Sequence, residues 1–346
     1  MNDHESRVLR LRGTPFEIGQ TAGRRMGARL AANIDEYVRE RVPPGTRFEP
    51  EAWEAAALPW LRALPDRFQQ ELEGLAAGSG VPLQRLAEWA CIEEHVPAQC
   101  SAFVCVAGGH TWVGRNNDTF APRLWGHATI REIPGRIPWI SFGMEGDVFT
   151  PTGVNRERLW LHYHYLPVED APPAGPVRMP AYAFLVEALE TCRSLPELEE
   201  LLAAVPRDQG MLLFAADGKS RDFAVFECGC TALRRRDSRG TWIVGTNHCC
   251  IGPRPWPEDD GGPLSSSSRQ ARLEALVAVL DTGTPAVRLV ETMIRILADE
   301  AIERRVGMLV TAASNVACPG TGEIWYTFGG FPAASRGNWR RLDWPW

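Results

Sequence analysis

Lysine is almost absent from this sequence. Of 37 basic side chains only Lys219 is a lysine, and it sits in the turn-like stretch Ala216-Asp-Gly-Lys-Ser220. Phosphate-loop ATPases, protein kinases, pyridoxal-phosphate enzymes and Schiff-base aldolases each need a lysine at a buried site, so all four classes are set aside together. Long apolar runs are lacking too. Nothing approaches the roughly 18 apolar residues of a membrane span, and the opening Met1-Asn-Asp-His-Glu-Ser-Arg7 has no apolar signal-peptide core. No internal repeat and no low-complexity tract is present. The nine cysteines, an odd number without regular spacing, form no disulfide framework, and a reducing cytoplasmic setting is expected. With 43 acidic against 37 basic side chains the net charge is −6, so neither nucleic acid nor a membrane is an expected partner.

What is present describes a folded chain. Its 346 residues, 45% hydrophobic and 23% charged, suffice for one large or two ordinary domains. Helical spacing of Ile18, Met26, Leu30, Ile34 and Val38 predicts a helix within 16–41, ended by Pro43-Pro44-Gly45. Further helices are predicted over 51–77, interrupted near Pro59 and Pro65, and over 82–94. At Gln99 the pattern changes. Ser101–Ala107 and Thr111–Gly114 read as strands joined by a Gly108-Gly109 turn, a hairpin. Strands are then predicted at 137–142, 159–165, 211–216, 223–228, 241–245, 308–312 and, last, 324–328. Helices are predicted over 181–205, restarted by the capping sequence Ser194-Leu-Pro-Glu197, and over 269–280 and 285–298. The Pro/Gly-rich stretches 167–180 and 252–263 read as loops. This order predicts an α+β fold with helices layered on antiparallel sheets.

One arrangement carries chemistry. Cys100 opens a strand, and Gly114-Arg-Asn-Asn-Asp118 closes its hairpin partner, which brings Arg115 and Asp118 back toward the thiol. A guanidinium beside a thiol favours the nucleophilic thiolate, and a carboxylate can orient a proton-bearing donor. Alternatives come from His162-x-His164, Cys228-x-Cys230 and His248-Cys249-Cys250, zinc-type ligands without zinc-type spacing. A papain-like arrangement with His110 or His127 as base lacks its cysteine context. A binding protein without chemistry is the remaining reading.

Four segments resemble the acyl-coenzyme A:isopenicillin N acyltransferase-like family of cysteine N-terminal-nucleophile (Ntn) hydrolases. Leu11-Arg-Gly-Thr-Pro-Phe-Glu-Ile-Gly-Gln20 is similar to its opening signature, and Cys100-Ser-Ala-Phe103 to its nucleophile strand. Gly114–Asp118 is similar to its Gly-x-Asn-x-Asp segment, 18 residues from cysteine to aspartate, and Thr246-Asn-His248 to its Thr-Asn-His element. Fainter likenesses are Gly153-Val-Asn155 and Ser267…Arg272-Leu273. The resemblance implies an αββα sandwich of two stacked antiparallel sheets, made as a precursor that cuts itself between Gln99 and Cys100. Residues 1–99 would then be a helical N-terminal segment or small subunit, and 100–346 the catalytic domain, the fragments staying together as a heterodimer. It further implies Cys100 as nucleophile, Arg115 and Asp118 as its partners, Asn247 as oxyanion donor, Asn155 as a second candidate donor, and a late arginine, with Arg304 and Arg305 the nearest candidates. The expected substrate is a small N-acyl amide, with water or an amine as acceptor and a coenzyme A thioester as one conceivable acyl donor. No cofactor and no metal is expected. Freeing the α-amine, whose pKa is about 7.7–8.0, supplies a base that a peptide nitrogen cannot be.

Overall fold

The computed structural model describes residues 7–41, 50–95, 98–166, 170, 179–238, 240–251, 262–280, 283, 285–305, 307 and 309–346. Most of the two expected loops, and Val96-Pro97 ahead of the cysteine, lie outside these residues. In chain order the elements are β1 (Val8–Arg12), α1 (Pro15–Met26), α2 (Ala28–Arg41), α3 (Pro50–Ala63), α4 (Asp66–Ser79), α5 (Leu83–His95), β2 (Gln99–Ala107), β3 (His110–Thr119), β4 (Trp125–Glu132), β5 (Trp139–Met144), β6 (Thr152–Asn155) and β7 (Leu159–Tyr165). They continue with α6 (Ala181–Thr191), α7 (Leu195–Ala204), β8 (Met211–Asp217), β9 (Phe223–Cys228), β10 (Leu233–Asp237), β11 (Trp242–Gly245), α8 (Ser266–Val277), α9 (Ala286–Leu297), β12 (Val310–Cys318), β13 (Glu323–Phe328), α10 (Ala333–Arg336) and β14 (Asn338–Leu342). No described helix is long and apolar enough to cross a membrane.

Two sheets result. One runs β1-β4-β5-β6-β7-β8-β9-β10, the other β11-β2-β3-β12-β13-β14, and every pair is antiparallel except β1 with β4. Strand alternation assigns the faces. Ala102, Val104 and Val113 of the smaller sheet meet Ile130, Ile140, Trp160 and Phe214 of the larger in a core between the sheets. The intervening Phe103, Cys105 and Trp112 pack outward on Leu273, Leu289 and Met293 of α8 and α9. The far face of the larger sheet, with Leu161 and Leu213, packs on Phe184 of α6 and on the N-terminal helices through Phe68 and Trp89. The layers are therefore α, β, β, α.

The described residues ahead of Gln99 are mainly helical, and Val8–Arg12 adds a parallel edge strand to the larger sheet that the sequence did not reveal. The expected single helix over 16–41 is two, broken at Gly27. Its start is as the sequence dictates: Thr14 caps it, Glu17 completes the capping box, and Pro15 fills the first turn. Pro59 stays inside α3, and only Pro65 ends the run. Helices α1 and α4 touch backbone to backbone through Gly19, Gly23, Gly74 and Gly78. A Cβ on Gly74 would lie 2.0 Å from the Phe16 carbonyl oxygen. Buried charges tie this segment to the rest. Arg67 holds Glu190 of α6, Glu71 meets Arg131 of β4 at 3.1 Å, and Glu94 accepts the Tyr182 and Ala183 N–H groups at the start of α6, both at 3.0 Å.

Candidate active site

The two-residue turn Gly108-Gly109, both at positive φ, sets the β2–β3 register by pairing Ala107 with His110. The register then pairs Cys100 with Asn117, Ala102 with Arg115, and Gln99 with Asp118. Period-2 alternation puts Cys100, Arg115 and Asn117 on the face between the sheets, and Gln99, Ser101 and Asp118 on the face toward α8. The thiol and the carboxylate that the sequence brought together thus lie on opposite faces of one hairpin.

Between the sheets, the Arg115 guanidinium lies 3.4 Å from Cys100 Sγ and spans the sandwich to the Tyr163 and Pro151 carbonyls, both at 2.9 Å. Asn117 Oδ1 accepts from Arg115 at 3.2 Å and from the thiol at 3.5 Å. That leaves Asn117 Nδ2 a buried amide donor without a hydrogen-bond partner. Burial pushes the Cys100 thiol up despite the charge and hydrogen bond of Arg115. With the Gln99–Cys100 bond intact the sulfur is therefore a thiol at neutral pH, not the thiolate expected from its cation.

The backbone of Cys100 is held by side chains. β11 ends at Gly245, opposite Ala102. Beyond it the ladder groups of β2 need other partners. Asn247, in register with Cys100, supplies one: its Oδ1 accepts the Cys100 N–H at 3.0 Å. Arg269 supplies the other, donating to the Cys100 carbonyl at 2.5 Å. Arg269 also reaches Ser101 Oγ at 2.8 Å, Asn247 Oδ1 at 3.0 Å and Gln99 Oε1 at 3.1 Å. It is fully buried in the first turn of α8, which Ser265 caps and Ser266 anchors to Thr246 and the Asn247 N–H.

On the α8 side Asp118 is fully buried. Its Oδ1 accepts from Thr311 at 2.6 Å. Its Oδ2 has no hydrogen-bond partner and lies 3.7 Å from Arg269 and 3.8 Å from Arg304. Burial pushes its carboxyl up, against the pull of both guanidinium groups.

Several expectations are corrected. Asn247 is at the site, but its Nδ2 donates to the Tyr165 carbonyl at 2.8 Å. Two donors at its oxygen and a carbonyl at its nitrogen fix this orientation, in which the oxygen holds the Cys100 N–H and one of the two amide N–H donors is committed to Tyr165. Asn155 is elsewhere. It donates to Leu189 O and Cys192 O and accepts from Leu159 N–H, knitting β6 to the end of α6. Of the two late arginines, Arg304 reaches the Gln99 side chain, whereas Arg305 faces Glu303 and the Ala298 carbonyl. The missed residues are Arg269 and Asn117. A register count from the Gly-Gly turn finds Asn117. Nothing local in Ser265–Arg269 marks that arginine as buried.

The alternatives find no assembly. No group of three or more His, Cys, Asp or Glu side chains is placed to hold a metal among the described residues. His162 and His164 stack on Phe214, at 4.6 and 4.7 Å. His162 Nδ1 accepts from Trp160, and His164 Nδ1 is 2.6 Å from the Thr246 carbonyl. Burial and the Arg115 charge hold both rings neutral. Burial pushes Cys228 and Cys249 up to about 12. His127 is pushed down to about 3 on β4, and His110 is at the opposite end of the hairpin from Cys100.

No protein-family model matches the sequence. Among solved structures, a penicillin V acylase from Agrobacterium tumefaciens is similar at 14% identity over 70% of this chain and 86% of its own, with a TM-score of 0.50. A mutant conjugated bile acid hydrolase from Clostridium perfringens is similar at 15% identity over 70% and 96%, with a TM-score of 0.47. A Caenorhabditis elegans N-acylethanolamine-hydrolyzing acid amidase is similar at 15% over 64% and 93%, also at 0.47. At such identity the likeness to the acylase is one of fold. That fold, two stacked antiparallel-rich sheets between helical layers, is the Ntn-hydrolase sandwich.

Proposed function

We propose that this chain is a self-processing cysteine amidohydrolase or acyltransferase, akin to the acyl-coenzyme A:isopenicillin N acyltransferase-like branch of the Ntn hydrolases. It acts on the amide bond of a small N-acyl compound through an S-acyl-Cys100 intermediate. The observation that carries this reading is the treatment of Cys100. Its sulfur meets a guanidinium and the Oδ1 of Asn117, whose Nδ2 is buried without a hydrogen-bond partner, while its N–H and carbonyl are held by Asn247 and Arg269 instead of a neighbouring strand. The fold, shared with a penicillin V acylase, supports the same reading.

The chemistry balances as follows. Cys100 Sγ attacks the Gln99 carbonyl carbon, and the acyl group moves from nitrogen to sulfur. Water then cleaves the thioester, leaving a Gln99 carboxylate and a free Cys100 amine. That amine takes the thiol proton, with Asp118 Oδ2 and Asn247 Oδ1 as acceptors for its N–H groups and Arg115 stabilising the thiolate. Attack on a substrate amide gives an oxyanion toward which Asn117 Nδ2 donates. The amine leaves with the proton, and water or a second amine takes the acyl group from sulfur. Both acceptors share the acyl-enzyme. Fragments 1–99 and 100–346 stay together as two chains of one fold.

The test is intact mass. The wild type should yield fragments 1–99 and 100–346, and Cys100→Ala should remain whole. A wild type that stays uncut yet turns over amides at full rate would refute the reading.

A further inference from the structure

Two histidines share the inter-sheet face with the Cys100 sulfur and take no part in the chemistry proposed above. Trp160 belongs to the core between the sheets, and strand alternation puts His162 and His164 on its face of β7, where both stack on Phe214 of the same core. Arg115 docks on the carbonyl of Tyr163, the residue between the two imidazoles, at 2.9 Å. Both histidines are fully buried, and the Nε2 of each has no hydrogen-bond partner.

The partners at the other ring nitrogens fix the tautomers. The Trp160 indole N–H can only donate, and it meets His162 Nδ1 at 2.9 Å. That nitrogen carries the lone pair, so the proton of the neutral ring is on Nε2. The Thr246 carbonyl can only accept, and it lies 2.6 Å from His164 Nδ1. Here the proton is on Nδ1, and Nε2 carries the lone pair. Burial and the Arg115 charge keep both rings neutral. One unpartnered Nε2 is thus a donor and the other an acceptor. The ring centroids are 5.3 Å apart. Two hydrogen bonds of about 2.9 Å at a tetrahedral angle span about 4.7 Å, a comparable reach. A metal ion would need a lone pair where His162 carries its proton, and it would sit beside the Arg115 cation. An anion would face the lone pair of His164. Water accepts from one ring and donates to the other.

We infer that one internal water accepts from His162 Nε2–H and donates to His164 Nε2, completing a one-way chain of hydrogen bonds from the Trp160 indole through both imidazoles to the Thr246 carbonyl. Every donor in the chain points the same way, so the bonds polarise one another in one sense. The chain crosses from β7 of the larger sheet to the segment after β11 of the smaller. Thr246 precedes Asn247, whose Oδ1 accepts the Cys100 N–H, and Tyr165, next to His164 on β7, holds Asn247 Nδ2 at 2.8 Å. His164 is therefore a positioning residue for Asn247, acting through Thr246. That role rests on the proposed chemistry at Cys100, whereas the water site does not.

The site is tested by NMR of 15N-histidine-labelled wild-type protein as purified, at pH 7, with the two rings assigned by their loss in His162→Gln and His164→Asn. Long-range 1H–15N correlations should show both rings neutral, His162 as the Nε2–H tautomer and His164 as the Nδ1–H tautomer. The His162 Nε2–H should exchange magnetisation with a long-lived water. His164 in the Nε2–H form, or an imidazolium at either position, overturns the chain. The stated tautomers without that water contact overturn the water. The positioning role is read from self-cleavage by mass and from kcat and KM. His164→Leu should slow cleavage and kcat by roughly 10- to 100-fold with KM changed less than about threefold, the scale of a small misplacement of reacting groups. His164→Asn puts an amide donor where Nδ1 was, and should return both rates to within about threefold of wild type. Should His164→Leu fail to fold, His164→Gln, which lacks a donor at that position, takes its place. A leucine or glutamine variant at the wild-type rate, or an asparagine variant no faster than it, overturns the role. A wild type that neither cuts nor turns over amides overturns the amidase reading and the positioning role with it, while the tautomers and the water contact still decide the site.

Discussion

Replacing Asn117 by alanine isolates the group assigned to the oxyanion. Its Nδ2 is buried without a hydrogen-bond partner, while its Oδ1 serves Arg115 at 3.2 Å and the thiol at 3.5 Å. Loss of one oxyanion donor costs about 100- to 1,000-fold in kcat. Nδ2 meets no protein acceptor in the uncut state, so the loss falls on the transition state, and KM should change much less than kcat. Stability should fall modestly. The deleted hydrogen bonds are the two at Oδ1, each worth about 1 kcal/mol, and an unpaired donor disappears with them. Asn117→Asp sharpens the test, because it keeps an acceptor for Arg115 but removes the donor. We predict that both variants lose turnover to a similar degree while melting near the wild type. The assay is the self-cleavage rate by mass, since that step forms the same kind of oxyanion, then kcat and KM of the cut protein with thermal melting alongside. Asn117→Ala cutting and turning over within about threefold of wild type would refute the assignment, since a lost oxyanion donor costs far more.

Other outcomes follow from the same structure. Gly74→Ala forces a Cβ to 2.0 Å from the Phe16 carbonyl oxygen and 2.9 Å from Gln20 N, both backbone, so α1 and α4 must separate. The cost should reach or exceed the ~1–3 kcal/mol of ordinary overpacking, and an unchanged melting temperature would contradict the close contact. Asn155→Ala removes three hydrogen bonds. It should destabilise by roughly 2–4 kcal/mol, counting the carbonyls and N–H it strands, while turnover per folded molecule stays at the wild-type level; a large loss of kcat in stable protein would restore it to the site. In uncut protein, burial holds the Cys100 thiol above its ordinary range, so its thiolate fraction at a given pH is low and rises only at higher pH. Iodoacetamide at pH 7.5 should label the exposed Cys250 well before the buried Cys100, as mapped by peptide mass, and early Cys100 labelling would contradict the buried-thiol account.

Much of the fold was legible because apolar periodicity is local. The helices at 15–26 and 66–79, and the strands Leu159–Tyr165 and Phe223–Cys228, emerge close to where their side-chain patterns place them. What escaped depends on distant partners. β1 is five residues with two arginines and becomes a strand only by joining β4, more than a hundred residues on. β4 itself, Trp125–Glu132, mixes polar and apolar residues without clean alternation, and β14 extends the smaller sheet beyond the strand expected to be last. At the site, Cys100, Arg115 and Asn247 come together as expected. Asp118 is at the predicted strand end but on the other face, a difference that the hairpin register contains once the Gly108-Gly109 turn fixes it. Arg269 was not legible. An arginine after a run of serines looks like a solvated helix start, and only the end of β11 opposite Ala102 creates the unpaired carbonyl it fills. Asn155 misled in the opposite sense, since asparagine at a strand end serves structure as readily as catalysis.

The central claim, that Cys100 becomes an N-terminal nucleophile, is tested most directly by the intact mass and N-terminal sequence of the freshly purified protein. The account predicts two co-purifying chains, the larger beginning at Cys100, with Cys100→Ala giving a single uncut chain. A single full-length chain that hydrolyses amides at an undiminished rate would contradict it.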